Sequence, residues 1–203
     1  TETNMNTSNP YDGERRPGTV GFPLPGVELK ITDPDQGRVL SQGEVGQIEL
    51  RGPNVFKGYW QMPEKTAAEL RPDGFFITGD LGRIDADGYL HIVGRNKDLI
   101  ISGGYNIYPK EIELILDDQP GVLESAVLGV PHPDLGETVL GVIVAAPGQH
   151  PDLDQIATTT ASTLARFKQP RKLILIDQLP RNTMGKVQKN ILRDSYKDIF
   201  LNS

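Results

Sequence analysis

The feature that most constrains this chain is a change of pattern near Gly94-Arg-Asn-Lys-Asp98. Before it, short strand-type runs are broken every few residues by Gly or Pro; after it, helix-type and strand-type runs alternate. Such a change predicts two bodies, residues 1–96 and 97–203, and 203 residues suffice for two small domains. In the first, residues 1–25 read as loop, and Val27-Glu-Leu-Lys-Ile31 and Val45-Gly-Gln-Ile-Glu-Leu-Arg51 alternate as strands do. Gly37, Gly43, Gly46 and Gly52 read as turns, and Pro63 to Leu70 as a short helix with Pro in its first turn. Two further strands, Gly74 to Thr78 and Gly88 to Val93, bracket a turn-like stretch. Short strands at this spacing predict a small β-barrel-like or sandwich-like subdomain.

In the second body Pro109 opens a helix whose apolar residues Ile112, Ile115 and Leu116 fall at i, i+3 and i+4. Strands follow near 123–130 and 139–146, then a polar helix near 152–166, a strand at 171–178 and a last helix over 187–200. In that last helix Val187, Ile191 and Ile199 share one stripe. The interleaving predicts a compact α+β domain, so the fold class expected for the whole chain is α+β.

Composition excludes several functions. A net charge of −6 argues against general nucleic-acid binding. No apolar run approaches the roughly 20 residues that cross a bilayer. With no cysteine there is no disulfide, thiolate catalysis or Cys-ligated zinc, which fits a reducing, cytoplasmic setting. His91, His132 and His150 lack metal-ligand spacing. Charge is uneven, however: residues 166–197 hold nine Lys/Arg against two Asp. Such a segment suits a polyanionic small ligand, or is a solvated helical face.

Five stretches could carry chemistry. Pro180-Arg-Asn-Thr-Met-Gly-Lys186 places a lysine beside a glycine between a strand and a helix, where a long cation can meet a phosphate or carboxylate. Asp80, after Thr78-Gly79, and Arg95, after Gly94, lie at strand ends where they could bond ribose hydroxyls; a turn Asp and a surface ion pair are the plain alternatives. Ser102-Gly103-Gly104 precedes a helix start, and its glycines let a ligand approach the backbone. Thr1-Glu2 sets a hydroxyl beside a carboxylate, able to meet a phosphate and its Mg²⁺. Neither GxGxxG nor GxxxxGK[ST] occurs, so no Rossmann or Walker loop is present.

Taken in order, Thr1-Glu2, Gly43 to Gly52, Lys57-Gly-Tyr59, Asp73 to Asp80, Gly88 to Asp98, Ser102 to Glu113 and Pro180 to Lys186 resemble the successive core motifs of the acyl-adenylate-forming superfamily. This group holds acyl-CoA synthetases, luciferases and peptide-synthetase adenylation domains. The resemblance implies a two-step ligase: a carboxylate attacks ATP to give an acyl-adenylate and pyrophosphate, then a thiol displaces AMP. It implies that Thr1 contacts the α-phosphate, Glu2 holds Mg²⁺, and Asp80 and Arg95 bind the ribose. Lys186 is then the catalytic residue, bridging carboxylate and phosphate oxygens, and Lys97 the hinge. Ser102, Gly103 and Gly104 line the path of coenzyme A. Residues 1–16 and 180–190 resemble malonyl-CoA or methylmalonyl-CoA synthetases, which puts Met5 near the acyl pocket.

The Ser/Thr/Gly-rich phosphate loop of that superfamily is absent from these residues. The chain is therefore expected to be a carboxyl-terminal portion of a longer ligase, with negligible adenylation by itself. Expected ligands are ATP, Mg²⁺, coenzyme A and a small carboxylate, with no nucleic-acid or membrane partner. A lysine acetyltransferase and deacetylase acting on Lys186 form a further expectation, since acetylation erases its charge. Two rivals stay open: an adenylation domain loading a carrier protein, and a non-catalytic fragment that kept the fold.

Overall fold

The computed structural model describes residues 1–201; Asn202 and Ser203 lie outside the described residues. The chain divides into two compact units, Thr1–Lys97 and Asp98–Ser203.

In the first unit β1 (Thr7–Ser8) pairs antiparallel with β2 (Phe22–Pro23). An antiparallel sheet follows, made of β3 (Glu28–Thr32), β4 (Gly46–Arg51), β5 (Phe76–Ile84) and β6 (Leu90–Arg95), with α1 (Pro63–Glu69) between β4 and β5. Ile31, Ile48, Leu50 and Leu90 form its core. The expected barrel does not form: the sheet is open, with β3 and β6 as its edges and no pairing between them among the described residues. Four strands enclose too little volume to close around their own side chains, whereas about eight do so.

β5 also runs through residues expected to turn. The turn comes later, at Asp85, whose Oδ1 accepts hydrogen bonds from the backbone N–H groups of Asp87 (3.0 Å) and Tyr89 (2.9 Å). Gly82 serves close packing instead: a Cβ there would lie 2.6 Å from the His91 carbonyl oxygen and 2.7 Å from Ile48 Cδ1. The same holds at Gly46, where a Cβ would meet the Thr32 carbonyl oxygen at 2.3 Å.

Alternation along β4 points Glu49 away from Ile48 and Leu50, yet Glu49 is 0% exposed. Arg71 makes this possible, donating from Nε to Oε2 at 2.8 Å and from Nη2 to Oε1 at 2.6 Å. Thr32 Oγ1 donates to Oε1 at 2.8 Å, and Lys30 Nζ lies 3.4 Å from Oε2. Burial alone would push the Glu49 carboxyl up; the hydrogen bonds from Arg71 and Thr32 outweigh it and hold the group below the usual carboxylate range.

The second unit contains β7 (Ile100–Ser102), β8 (Tyr105–Ile107), α2 (Pro109–Asp117), β9 (Val122–His132), β10 (Gly136–Ala145), α3 (Leu153–Thr163), β11 (Lys172–Ile176) and α4 (Lys189–Tyr196). β10 is central: it pairs antiparallel with β9 along its length, parallel with β11 over Leu140–Val144, and with β7 at Gly136. Side chains alternate across it. Val139 and Ile143 join Ile112 and Leu116 of α2 and Ile156 of α3 on one face. Leu140, Val142 and Val144 join Leu179 and Leu192 on the other. Asp152 caps α3, accepting from the N–H groups of Asp154 and Gln155 at 3.0 Å each.

The last helix differs from expectation. Leu192 is its buried residue, with Val187, Tyr196 and Ile199 packed around it, while Ile191 is exposed. The helix is turned so that Lys189 and Arg193, one turn apart, each meet an acid: Lys189 Nζ lies 2.6 Å from Glu113 and Arg193 Nη2 lies 2.8 Å from Asp98.

Arg71→Met is expected to destabilise the chain by about 3 kcal/mol, because it strands a buried carboxylate. Because the folded-state pKa of Glu49 is depressed, its contribution is present above the unfolded-state value and is lost as pH falls through the folded one. Urea unfolding of Glu49→Gln and the parent across that acidic window measures this. The parent should lose more stability than the variant as pH falls; equal slopes would exclude the coupling.

Candidate active site

Register brings Asp80 and Arg95 together. They are opposed residues of β5 and β6, and Arg95 Nε sits 2.7 Å from Asp80 Oδ1. Asp80 lies in the middle of β5 rather than past a strand end as expected, because β5 runs on to Ile84; Arg95 ends β6, and the register shifts between Leu81 and Gly82. The neighbouring backbone is pinned: Gln47 Nε2 donates to the Asp80 carbonyl at 3.1 Å, and Thr78 Oγ1 accepts from the Asp80 N–H at 3.1 Å while donating to the Ile48 carbonyl. The pair thus presents a carboxylate and a guanidinium together on a fixed rim, a donor–acceptor set suited to two adjacent hydroxyls.

Glu2 and the residues after it are held by the loop after β4, while Thr1 is exposed. The Phe56 N–H donates to the Glu2 carbonyl at 2.8 Å. Asn54 Nδ2 lies 2.7 Å from the Thr3 carbonyl, 3.1 Å from that of Met5 and 3.0 Å from Asn6 Oδ1. Asn54 was not singled out from sequence; its role depends on a contact 49 residues away in the chain. The Glu2 carboxyl lies below its usual range because its own backbone N–H bonds it. Tyr59 Oη lies 3.3 Å from Glu2 and donates to Glu69 at 2.5 Å; burial and then Glu69 push its own ionisation up, so it stays a phenol. Met5 is 62% exposed. Two open depressions of this unit, about 540 and 450 Å³, are lined around Arg15–Arg16 and Tyr59–Trp60. No sequence-predicted site residue lines either one.

Lys97 lies in a short 3-10 turn, Asn96–Asp98, and is the last residue of the first unit. In the second unit, the stretch from Ser102 to Pro109 leads into α2 at Pro109 as the sequence suggested, and it does so through a hairpin. Ser102 pairs with Tyr105, and Gly103 (φ 55°) and Gly104 (φ 82°) are the two loop residues of a tight β-hairpin. Two successive positive φ values are what a type I′ hairpin demands, hence Gly-Gly. The Gly103 N–H donates to the Leu135 carbonyl at 3.0 Å, which ties the loop to the start of β10. Nothing stands within 4 Å of a Cβ built at Gly104. Beside this hairpin Tyr105 stacks on Phe167 (centroids 4.7 Å apart, planes 26°), and both rings are exposed.

Lys186 sits on a hydrogen-bonded turn. Asn182 Oδ1 accepts from the N–H groups of Met184 (3.0 Å) and Lys186 (2.9 Å), and Gly185, with φ 77°, closes the loop onto the Asn182 carbonyl at 2.9 Å. Arg181 and Val187 bridge across its base. The Lys186 side chain is exposed and makes no hydrogen bond or ion pair among the described residues. Asn182 has a local signal in sequence, an Asx residue ahead of a glycine. The partner of Arg181, Glu124, has none.

Two stretches match models of one enzyme class: residues 1–60 match the AMP-binding enzyme model and residues 111–186 match the AMP-binding enzyme C-terminal domain. The chain belongs to the AMP-binding enzyme family. A malonate–CoA ligase of Arabidopsis thaliana is 41% identical over 209 residues, covering 98% of this chain and 34% of its own length. The solved structure of ATP-bound MatB from Rhodopseudomonas palustris matches with a TM-score of 0.92 at 62% identity, over 98% of this chain and 40% of that one. The o-succinylbenzoate CoA synthetase of Bacillus subtilis, solved with its acyl-adenylate intermediate, matches with a TM-score of 0.81 at 36% identity, over 87% of this chain and 36% of that one. The chain spans about a third of the length of the curated relatives it matches. Among the described residues no helix is long and apolar enough to cross a membrane.

Replacing Gly104 by Val forces a β-branched residue into positive φ and is expected to cost about 1–2 kcal/mol, with Gly104→Asn costing less. Unfolding by urea checks the order. Because space there is open, equal costs would show that backbone conformation is not what selects glycine.

Proposed function

We propose that this chain is part of an ATP-dependent acid–CoA ligase that converts malonate or methylmalonate to its CoA thioester through an acyl-adenylate. The observation that carries the proposal is Lys186, an unpaired ammonium on a hydrogen-bonded turn within the second family match. Its role is to neutralise charge on carboxylate and phosphate oxygens as the mixed anhydride forms. Asp80 and Arg95 take the ribose hydroxyls of ATP and AMP, and Thr1 meets the α-phosphate. Glu2 fits a Mg²⁺ ligand: it is ionised, partly exposed and single, and Mg²⁺ typically takes one or two carboxylates with the rest from phosphate and water. Bound there, Mg²⁺ supplies charge neutralisation at the phosphates. Ser102, Gly103 and Gly104 admit the pantetheine arm of coenzyme A, because a loop without side chains beyond Ser102 leaves room along the backbone. Met5 borders the acyl group. Lys97 is the hinge about which residues 98–203 turn between the half-reactions.

Malonate as the acid is supported by the resemblance of residues 1–16 and 180–190 and by the Arabidopsis relative. The absence of cysteine suits cytoplasmic work. Acetylation of Lys186 by an acetyltransferase, reversed by a deacetylase, would switch adenylation off, since it removes the charge on which the step depends.

Pyrophosphate release by the intact protein across a panel of acids tests the substrate; silence with malonate and methylmalonate and a signal with acetate or long-chain acids would overturn it. Lys186→Ala is expected to lower adenylation by about 10²-fold or more while sparing thioester formation from preformed adenylate. Equal loss in both half-reactions contradicts the role given to Lys186.

A further inference from the structure

Among the described residues the ammonium of Lys186 has no partner, so its position depends on the turn that carries it. That turn is braced from outside by one residue. Arg181 Nη1 donates to the Gly185 carbonyl at 2.7 Å, immediately before Lys186. Its Nη2 pairs with Glu124 of β9. Glu124 lies opposite Val144 of β10, at the last regular pair of that ladder before the register shifts at Ala145. One planar guanidinium therefore fastens the lysine-bearing turn to the sheet, with one nitrogen on each side of the joint. A lysine at 181 has a single charged head and cannot hold both ends in fixed geometry.

We propose that Arg181 and Glu124 are positioning residues for Lys186, their pair setting where the ammonium stands during adenylation. This rests on the role given to Lys186 above. An exposed ion pair ordinarily contributes at most about 1 kcal/mol to stability. A brace and a mere surface pair therefore differ in what they move: the brace moves a rate, the surface pair nothing measurable.

The test uses the intact ligase with malonate, comparing Glu124→Gln, Arg181→Gln, Arg181→Lys and Lys186→Ala. Three quantities are read: kcat and KM for ATP in pyrophosphate release, thioester formation from preformed malonyl-adenylate, and the thermal midpoint. Displacing a catalytic group by about 1 Å can cost on the order of 10²-fold. Glu124→Gln and Arg181→Gln are thus expected to lower adenylation kcat about 10- to 100-fold. KM for ATP, thioester formation and the thermal midpoint should stay close to the parent's, and Arg181→Lys should fall between Arg181→Gln and the parent. Unchanged adenylation in both Gln variants overturns the proposal. So does a parallel fall of both half-reactions with the thermal midpoint, which marks a structural role only. If Lys186→Ala itself adenylates like the parent, the fault lies in the functional reading beneath.

Discussion

The second unit depends on β10. It pairs with three other strands, β7, β9 and β11, and its alternating side chains feed both hydrophobic faces. Burial of a Leu, Ile or Val side chain stabilises by about 1.5–3 kcal/mol, and β10 supplies five such residues to the two cores. Each candidate element of this unit hangs from it. The Gly-Gly hairpin joins at Gly136, the β9 strand bearing Glu124 pairs along its length, and β11 lies parallel to it ahead of the Lys186 turn. The candidate groups thus sit on short loops attached to strands that pair with β10, and a sheet scaffold positions loop residues.

Much of this was legible from sequence where the signal is local. The helix of Ile112 and Leu116, the strands flanking residue 134 and the α3 helix follow from periodicity, and the family match accords with the ordered motifs. What failed is non-local. An evenly spaced run of short strands looks the same for an open sheet and a closed one, since only pairing of the outer strands distinguishes them. Gly46 was read as a turn, yet it serves close packing of neighbouring strands, as Gly82 does. The stripe on α4 was assigned by apolar spacing, which put Ile191 inside; ion pairs with Glu113 and Asp98 accompany a different rotation.

At the candidate site the same boundary holds. Asp80 and Arg95 were separately visible as polar residues at expected strand ends, but their contact needs a register with an irregularity inside it. Lys186 and its glycine were visible; Glu124, 57 residues from Arg181, was not. Asn54, which holds the segment after Glu2, likewise carries no sequence signal, because an Asn in a loop is ordinary and its partners are backbone carbonyls of a distant segment.

The basic segment gains a different meaning once its partners are known. As a string it is nine cations against two acids, which reads as a patch for a polyanion. In the fold, Lys168 meets Glu111, Arg181 meets Glu124, Lys189 meets Glu113 and Arg193 meets Asp98. All four acids come from before residue 125, so the excess charge of the carboxyl-terminal stretch is partly neutralised by the earlier part of its own unit. These pairs dock β11's flank and α4 rather than recruit a ligand. Lys186, like Arg166, Arg171, Lys172 and Lys197, has no ion pair among the described residues, and it stands on a turn whose geometry is set by Asn182 and Arg181. An unpaired ammonium gains most from an incoming anion, because no existing bond must be broken to meet it. What sets Lys186 apart from the other unpaired cations of the segment is its place on that hydrogen-bonded turn.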